Sequence, residues 1–533
     1  MAADNQLILA NLIAARVEQK PDLDILTFEG AGVREDEIRT YTGLWENGNR
    51  IASALIGRGM QMGDRFALFM CNHPEFVDTM VAASISGSVF VPIDPRTKGA
   101  KLAYTLNHSQ CKGIIAADYA INHILEVRDQ LTDLEWIWVL KTDEGEAINL
   151  AAIPGAESLS DILSAPISFV DVRVKTGKEP LQIIYTSGTT GDPKGVVRSN
   201  ESYGGATMFG ALVGFTENDR PYTGLSLTHG NAQIMTLGPT LGMGLRTVFS
   251  RKFTKSRLWD ITRQYGNTVF NLLGGMAMAI YSEPEQENDG DNPVNFVVSA
   301  GMPIGIWKNF EERFNVKILE CYGAIEGGLA VNPIGVGPIG SFGKPPPGSE
   351  MRIVDENDNE SPVGVMGELV SRPSTGNQPE VEYFGNKEAS DQKTHGGWLR
   401  SGDVCHRDED GWFYFDYRKG GGIRHNGDFI NPGFVEGVVA ESPLITDVFV
   451  YGVPAKSGSP GEKDVVAAIV PVNVNEFDPA EIFRLCRLGL ESNFVPTYLQ
   501  LVTEIPKTAS EKPQERFLLD QFDEDMANVF TEN

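Results

Sequence analysis

The sequence is short of basic charge, poor in cysteine and free of long apolar runs, and each shortage removes a class of function. Lysine and arginine number 45 against 72 aspartates and glutamates, a formal net charge of -27. A surface that grips nucleic acid needs the opposite balance, so no nucleic-acid partner is expected. Small phosphorylated ligands stay open, because a loop of backbone amides binds them even on an acidic protein. The five cysteines (Cys71, Cys111, Cys321, Cys405 and Cys486) are scattered, with no CxxC pair. That spacing argues against a disulfide framework and a zinc site, and a reducing cytoplasm fits best. No uninterrupted apolar run approaches the ~20 residues that span a bilayer, so no integral membrane association is expected. The opening stretch MAADNQLILANLIAARVEQKPD lacks a basic leader and reads as an amphipathic helix instead of a signal peptide. Neither internal repeats nor low-complexity tracts are present.

What remains is a globular composition, 41% hydrophobic and 22% charged, on a chain of 533 residues. That length is too great for one ordinary domain and predicts two or more cores. Helix and strand signals alternate through the first part of the chain. Residues 44–58 put Leu44, Ile51, Ala52 and Leu55 on one helical face, with Gly59 as the stop signal. Short apolar runs at 65–70, 90–93, 113–117 and 136–140 read as buried strands, with a helix at 75–88. Further runs at 181–185, 268–273, 296–299 and 316–319 extend the pattern. Alternation of this kind predicts an α/β fold, a doubly wound and mostly parallel sheet whose ligands bind at glycine-bearing loops after the strands.

The texture changes near 337, where a turn-rich segment leads into short strands at 351–354, 367–371 and 412–415, a β subdomain. Gly420, Gly421 and Gly422 in succession suit neither helix nor strand interior, so 417–422 is read as a hinge. A helix near 433–441, strands near 446–451 and 465–471 and a helix near 479–492 predict a small α+β domain. The expected division is a large domain over 1–416, the hinge, and a small C-terminal domain over 423–533.

The most specific local signal is YTSGTTGDPKGV, Tyr185–Val196, at the end of the apolar run LQII. Thr186, Ser187, Thr189 and Thr190 supply hydroxyls, while Gly188, Gly191 and Gly195 let amide N–H groups approach a phosphate closely. Lys194 adds a point charge. The spacing is not that of a Walker loop. A generic Gly/Ser/Thr stretch is a polar surface loop; the density here, followed by DPKG, favours a phosphate site.

This stretch resembles the phosphate-binding signature of the adenylate-forming superfamily, which includes acyl- and aryl-CoA synthetases, adenylation domains of peptide synthetases and beetle luciferases. The resemblance runs from about residue 41 to 517, with further motifs in the family's order, and it is nearest to carnitine–CoA-ligase-like enzymes. It implies roles for particular residues. Within CYGAIEG (321–327), Tyr322 and Gly323 would face adenine and Glu326 would hold the magnesium that bridges the phosphates, a role suited to a carboxylate. Ser299, Ala300 and Gly301 would flank the nucleotide. Asp403, in SGD, and Arg418 would reach the ribose. His229 would line the acyl pocket and gate the carboxylate, with Asn271 and the turn Gly274–Gly275–Met276 as another wall. A single histidine beside apolar residues is as readily structural. Arg198 would approach a second anionic group of the substrate, although a surface arginine is the plainer reading. Gly427 would line the thiol tunnel. Lys512, in EIPKTASEKPQ (504–514), would be the lysine that stabilises charge during attack on the α-phosphorus, whereas Lys507 stands at the wrong position for that role.

The sequence departs from the family pattern at three places: Ile325 for threonine, Glu511 for glycine and Gly421 for the charged hinge residue. The implied activity is ATP-dependent carboxylate–CoA ligation with ATP, Mg²⁺ and coenzyme A, passing through acyl-AMP. The alternatives are an enzyme that loads a carrier protein in trans or oxidises its adenylate, and a non-catalytic nucleotide-binding paralogue. A small carboxylic acid is the expected substrate, of unread identity; the sequence leaves the oligomeric state open, with a homodimer one option because dimers are frequent in similar enzymes.

Overall fold

The computed structural model describes residues 7–532 apart from 143, 146–147, 187–192, 420–422, 426–427, 457–462, 491, 509–510 and 512. The chain divides into two compact units, one of residues 1–254, 260–271 and 381–392, the other of 255–259, 272–380 and 393–533.

In the first unit the apolar runs become the strands expected of them. A seven-stranded sheet has the order Ala156–Ser158, Trp136–Leu140, Cys111–Ala117, Arg65–Phe69, Val89–Ile93, Pro180–Thr186, Lys194–Ser199. All neighbours are parallel except the last pair, which is antiparallel. Helices join the parallel strands, because a parallel pair needs a crossover. Between Arg65–Phe69 and Val89–Ile93 the crossover is Pro74–Ser86, buried along its whole length and closed by Gly87 at φ 73°. The helix Tyr41–Gly57 packs on it. Its N-cap Thr40 accepts from the Gly43 N–H, and it buries Leu44, Ile51, Ala52 and Leu55, the face read from the sequence. The two approach closely at Gly48, where a Cβ would stand 2.7 Å from Val81 Cγ1. A further parallel set in this unit pairs Asp24–Phe28 with Thr247–Phe249, which in turn pairs with Pro221–Thr223.

The second unit contains Phe296–Ala300 parallel to Lys317–Ala324, which pairs antiparallel with Gly327–Asn332. A four-stranded antiparallel sheet follows in the order Ser349–Val354, Gly367–Pro373, Leu399–Arg407, Phe413–Arg418. These are the strands expected after 337, with Leu399–Arg407 added. The last strand continues through Tyr417 and Arg418, two residues into the segment read as a joint; Gly420–Gly422 themselves lie outside the described residues. The final sheet runs Ile445–Pro454, Lys463–Pro471, Tyr498–Leu501, Val529–Phe530. The helices Pro432–Ala440 and Pro479–Gly489 cover it, and Val435, Val439, Ile482, Phe483 and Cys486 join Val465, Ala467 and Ile469 in its core. Among the described residues no helix is long and apolar enough to cross a membrane.

Candidate nucleotide and acyl site

The predicted site residues fall into two sets, one in each unit. In the first unit the phosphate motif occupies the tip of an antiparallel hairpin. Thr186 ends one strand and Lys194 opens the next, in register with each other, and the Thr186 hydroxyl donates to the Lys194 carbonyl at 3.4 Å. Ser187, Gly188, Thr189, Thr190 and Gly191 lie outside the described residues. Below the tip the hairpin is tight: a Cβ on Gly195 would stand 2.7 Å from Ile183 Cγ2 and 3.0 Å from the Tyr185 ring. The Tyr185 hydroxyl meets His108 Nδ1 at 2.7 Å. The Lys194 ammonium lies 5.3 Å from the centre of the Tyr383 ring, a cation–π distance.

His229 sits half-buried on a turn, with its backbone N–H donating to Ser226 O at 3.1 Å. Buried amides fix that turn. Asn72 accepts from the Leu227 N–H at 2.7 Å and donates to Leu225 O and Ser250 O, each at 2.8 Å. Gln233 donates to Leu227 O at 2.8 Å and accepts from Gln182 at 2.9 Å, which ties the turn to the strand that carries the phosphate motif. After His229 comes a π-helical turn, Ala232–Leu237, a rare element met most often at functional sites. Asn271 accepts from the Thr236 hydroxyl at 3.0 Å and donates to Asn231.

The second unit brings together the residues expected to face the nucleoside. Asp403 and Arg418 are opposed residues of neighbouring strands, and Arg418 Nη1 lies 3.1 Å from Asp403 Oδ1. The other carboxylate oxygen accepts from the Tyr322 hydroxyl at 2.5 Å. Burial, reinforced by the Asp403 charge, pushes the Tyr322 hydroxyl well above its ordinary value, so it remains a donor. The Tyr322 ring lies 4.7 Å from that of Phe342. The backbone irregularity between Tyr322 and Ala324 places Gly323 at a bulge. Glu326 follows in the turn before Gly327–Asn332, with Lys393 Nζ 3.7 Å from its Oε1.

Ser299 is buried and Gly301 adopts φ 89°, so the turn expected to flank adenine has a left-handed residue where a side chain would be strained. A buried carboxyl that sequence reasoning missed fixes this turn. Glu320 accepts from the Gly301 N–H and, at 3.2 and 3.3 Å, from the Met302 N–H. Gly274 comes so near the same turn that a Cβ on it would meet Gly301 O at 2.3 Å. The glycine is therefore required by this close contact.

Burial raises the Glu320 carboxyl from 4.5 to about 7, against the pull of the Gly301 and Met302 N–H groups. A carboxyl with a raised folded value adds stability that is complete below 4.5 and lost as pH rises through about 7. Glu320→Gln, which keeps an acceptor oxygen but cannot ionise, should flatten that slope in melting curves taken across this range. Glu320→Ala, which leaves both N–H groups without their acceptor, should cost ~2–4 kcal/mol in urea unfolding.

The C-terminal lysine segment shows how one departure is accommodated. Glu511, standing where the family has glycine, takes φ 59°, and its N–H donates to Thr508 O at 2.9 Å. The backbone there has a conformation that glycine adopts freely and other residues adopt at a cost of ~1–2 kcal/mol. Lys512 lies outside the described residues, as does Gly427. Lys507 is paired with Asp447, and a Cβ on Gly275 would stand 3.1 Å from its Nζ.

Among the described residues no cluster of three or more His, Cys, Asp or Glu side chains could hold a metal unaided. Magnesium in a nucleotide site needs no such cage, since one or two carboxylates, water and phosphate oxygens suffice. Glu326, 11% exposed and beside the Tyr322–Asp403 pair on the same strand system, suits that limited donor role.

The sequence was compared with known proteins. The chain is 29% identical to the medium/long-chain-fatty-acid–CoA ligase FadD17 of Mycobacterium marinum, over 91% of this chain and 92% of that protein. It is 27% identical to the crotonobetaine/carnitine–CoA ligase of Salmonella typhimurium, over 89% and 91% respectively. The solved structure of o-succinylbenzoate CoA synthetase from Bacillus subtilis, in complex with its acyl-adenylate intermediate OSB-AMP, has the same fold. It superposes with a TM-score of 0.75 at 20% identity, over 95% of this chain and 97% of that one. The profile of the AMP-binding enzyme C-terminal domain matches residues 435–512. With the AMP-binding enzyme profile matching residues 13–376, the chain belongs to the AMP-binding enzyme family.

Proposed function

We propose that this chain is an ATP-dependent carboxylate–CoA ligase that works through an acyl-adenylate. The single observation that carries the reading is the Asp403–Arg418–Tyr322 constellation beside Glu326. It is a ribose-and-adenine grip with a carboxylate on its phosphate side, in a chain of this family. In the first half-reaction a substrate carboxylate oxygen attacks the α-phosphorus of ATP and pyrophosphate leaves. In the second the sulfur of CoA attacks the acyl carbonyl, AMP leaves and the thiol proton passes to solvent. Asp403 accepts from the ribose hydroxyls, and Arg418 keeps the carboxylate oriented. Ser299 to Gly301 bound the adenine, together with Tyr322 and Gly323. Glu326 would hold magnesium, which when bound would supply positive charge against the departing pyrophosphate.

The phosphate loop from Thr186 to Lys194 holds the triphosphate, Lys512 stabilises the attack, and His229 stands at the acyl pocket. Between the half-reactions the small domain turns about 417–422, withdrawing Lys512 and bringing Gly427 to the thiol path. The names of the relatives, CoA ligases for fatty acids and for carnitine, support CoA as the acceptor. A panel of carboxylic acids, assayed for pyrophosphate release with and without CoA, tests this. The expected result is acid-dependent pyrophosphate release with matching acyl-CoA and AMP. Release that requires a phosphopantetheinyl carrier protein in place of CoA would point to carrier loading.

Ile325 favours a second reading, a nucleotide-binding paralogue without turnover, because it removes a hydroxyl that the family directs at phosphate. Tight binding of nucleotide with no release on any acid would establish that reading and overturn the first.

A further inference from the structure

The nucleoside side of the site contains more charge than the family motifs account for. Glu368 is met by Arg400 Nη1 at 3.2 Å and by Lys419 Nζ at 3.5 Å, and it accepts from the Gly402 N–H at 3.2 Å. Asp403 is met by Arg418 at 3.1 Å. Lys393, the last residue of the helix Lys387–Lys393, turns inward. Its ammonium donates to Ser401 O at 3.3 Å and stands 3.7 Å from Glu326 Oε1, with the two side chains only 14% and 11% exposed. The Ser401 carbonyl is itself fixed, because the Ser401 hydroxyl donates to Leu369 O at 2.7 Å and accepts from the Asp403 N–H at 2.9 Å. The ammonium is therefore anchored to the backbone of the strand that presents Asp403, and aimed at the carboxylate assigned to magnesium.

Lysine is seldom buried without a partner, because taking an ammonium out of water is costly. Beside Glu326 it compensates a carboxylate that would otherwise face the nucleotide polyphosphate with like charge. A divalent cation on Glu326 does the same work, so metal and ammonium are alternatives at one oxygen pair.

We propose that Lys393 is a positioning residue for Glu326: it pairs with this carboxylate while the metal is absent and yields it to magnesium, and so sets how strictly nucleotide binding depends on the metal. This rests on the reading of Glu326 as the magnesium carboxylate. Replacing Lys393 by methionine keeps the length of the side chain and removes the charge. Metal-free nucleotide then meets a Glu326 that has lost this ammonium, while magnesium meets a carboxylate with one competitor fewer.

The test is calorimetric titration of the full chain with α,β-methylene-ATP, in EDTA and across a magnesium series, which needs no turnover. Lys393→Met should weaken metal-free binding ~10-fold, the scale of one unit charge acting at partly screened range. It should change magnesium-bound affinity by less than ~3-fold and lower the magnesium concentration at half-effect. Lys393→Arg, which retains a cation, should stay near wild type in EDTA. In the Glu326→Gln background the Lys393→Met penalty should shrink, a non-additive cycle that marks direct coupling. Melting curves confirm that each variant is folded before titration.

Equal weakening with and without magnesium, no weakening in either, or an additive cycle would each overturn the role of Lys393. Should Glu326→Gln leave the magnesium dependence of binding unaltered, the magnesium assignment itself falls and takes this inference with it. A shift in that variant with no shift in Lys393→Met condemns the lysine alone.

Discussion

Asp403→Ala should weaken ATP binding by ~10²–10⁴-fold, the loss expected from two hydrogen bonds to a charged acceptor at ~1.5–3 kcal/mol each. The carboxylate is buried, opposed by Arg418 and bonded to the Tyr322 hydroxyl, so it is already oriented when nucleotide arrives. Little entropy is spent in fixing it, which lets the full strength of the contact appear as affinity. The same change removes the acceptor of a buried phenol and should lower folding stability by ~1–3 kcal/mol. Titration with AMP and a urea melt read the two effects apart. Asp403→Asn separates them further, because its amide oxygen still accepts from Tyr322 while the charge toward the ribose is gone. A Kd for AMP within ~3-fold of wild type in a folded Asp403→Ala protein would remove this residue from the nucleotide site.

Lys512→Ala should slow acid-dependent ATP–pyrophosphate exchange by ~10²–10³-fold, the cost of losing one group that stabilises transition-state charge. Attack of a carboxylate on a phosphate brings two anions together, and a fixed ammonium is worth most where that charge builds. Thioester formation from a supplied acyl-AMP should be nearly unaffected, since its carbonyl chemistry draws on no cation from that loop. Lys507→Ala serves as the control. Lys507 is bound to Asp447 beside Gly275 and should leave exchange within a few-fold of wild type. Should Lys507→Ala abolish exchange and Lys512→Ala spare it, the two lysines have been assigned in the wrong order.

Much of the α/β framework was legible because period and length sufficed. The run at 113–117 and the pair of tryptophans at 136–140 could only be buried strands, and the structure pairs them in parallel with Gly113 opposite Trp136. A Cβ on Gly113 would overlap that indole, a contact between strands that no single-strand pattern displays. Leu399–Arg407 was read as an SGD motif and not as a strand, because Ser401 and Asp403 put polar side chains at buried positions and break the apolar alternation. The separation of Asp403 from Arg418 could be read only as motif spacing; its physical meaning is a hairpin register.

Glu320 and Lys393 gave no signal for a different reason. Each is an ordinary charged residue whose role depends on what packing brings beside it: the Gly301 and Met302 amides for one, Glu326 and Ser401 for the other. Glu511 was visible as a departure from the family, yet only the backbone angle shows that it takes the left-handed conformation glycine adopts freely.

The contact between Gly274 and Gly301 has a consequence for how such an enzyme diversifies. The turn expected to wall an acyl pocket and the turn expected to lie under a purine abut with no side chain to cushion them. Reshaping the cavity for a bulkier acid at this wall would therefore displace the base as well, whereas changes at the histidine turn carry no such burden through this contact. New acid preferences in descendants of this chain should consequently accumulate around residues 229–237, with 274 left untouched.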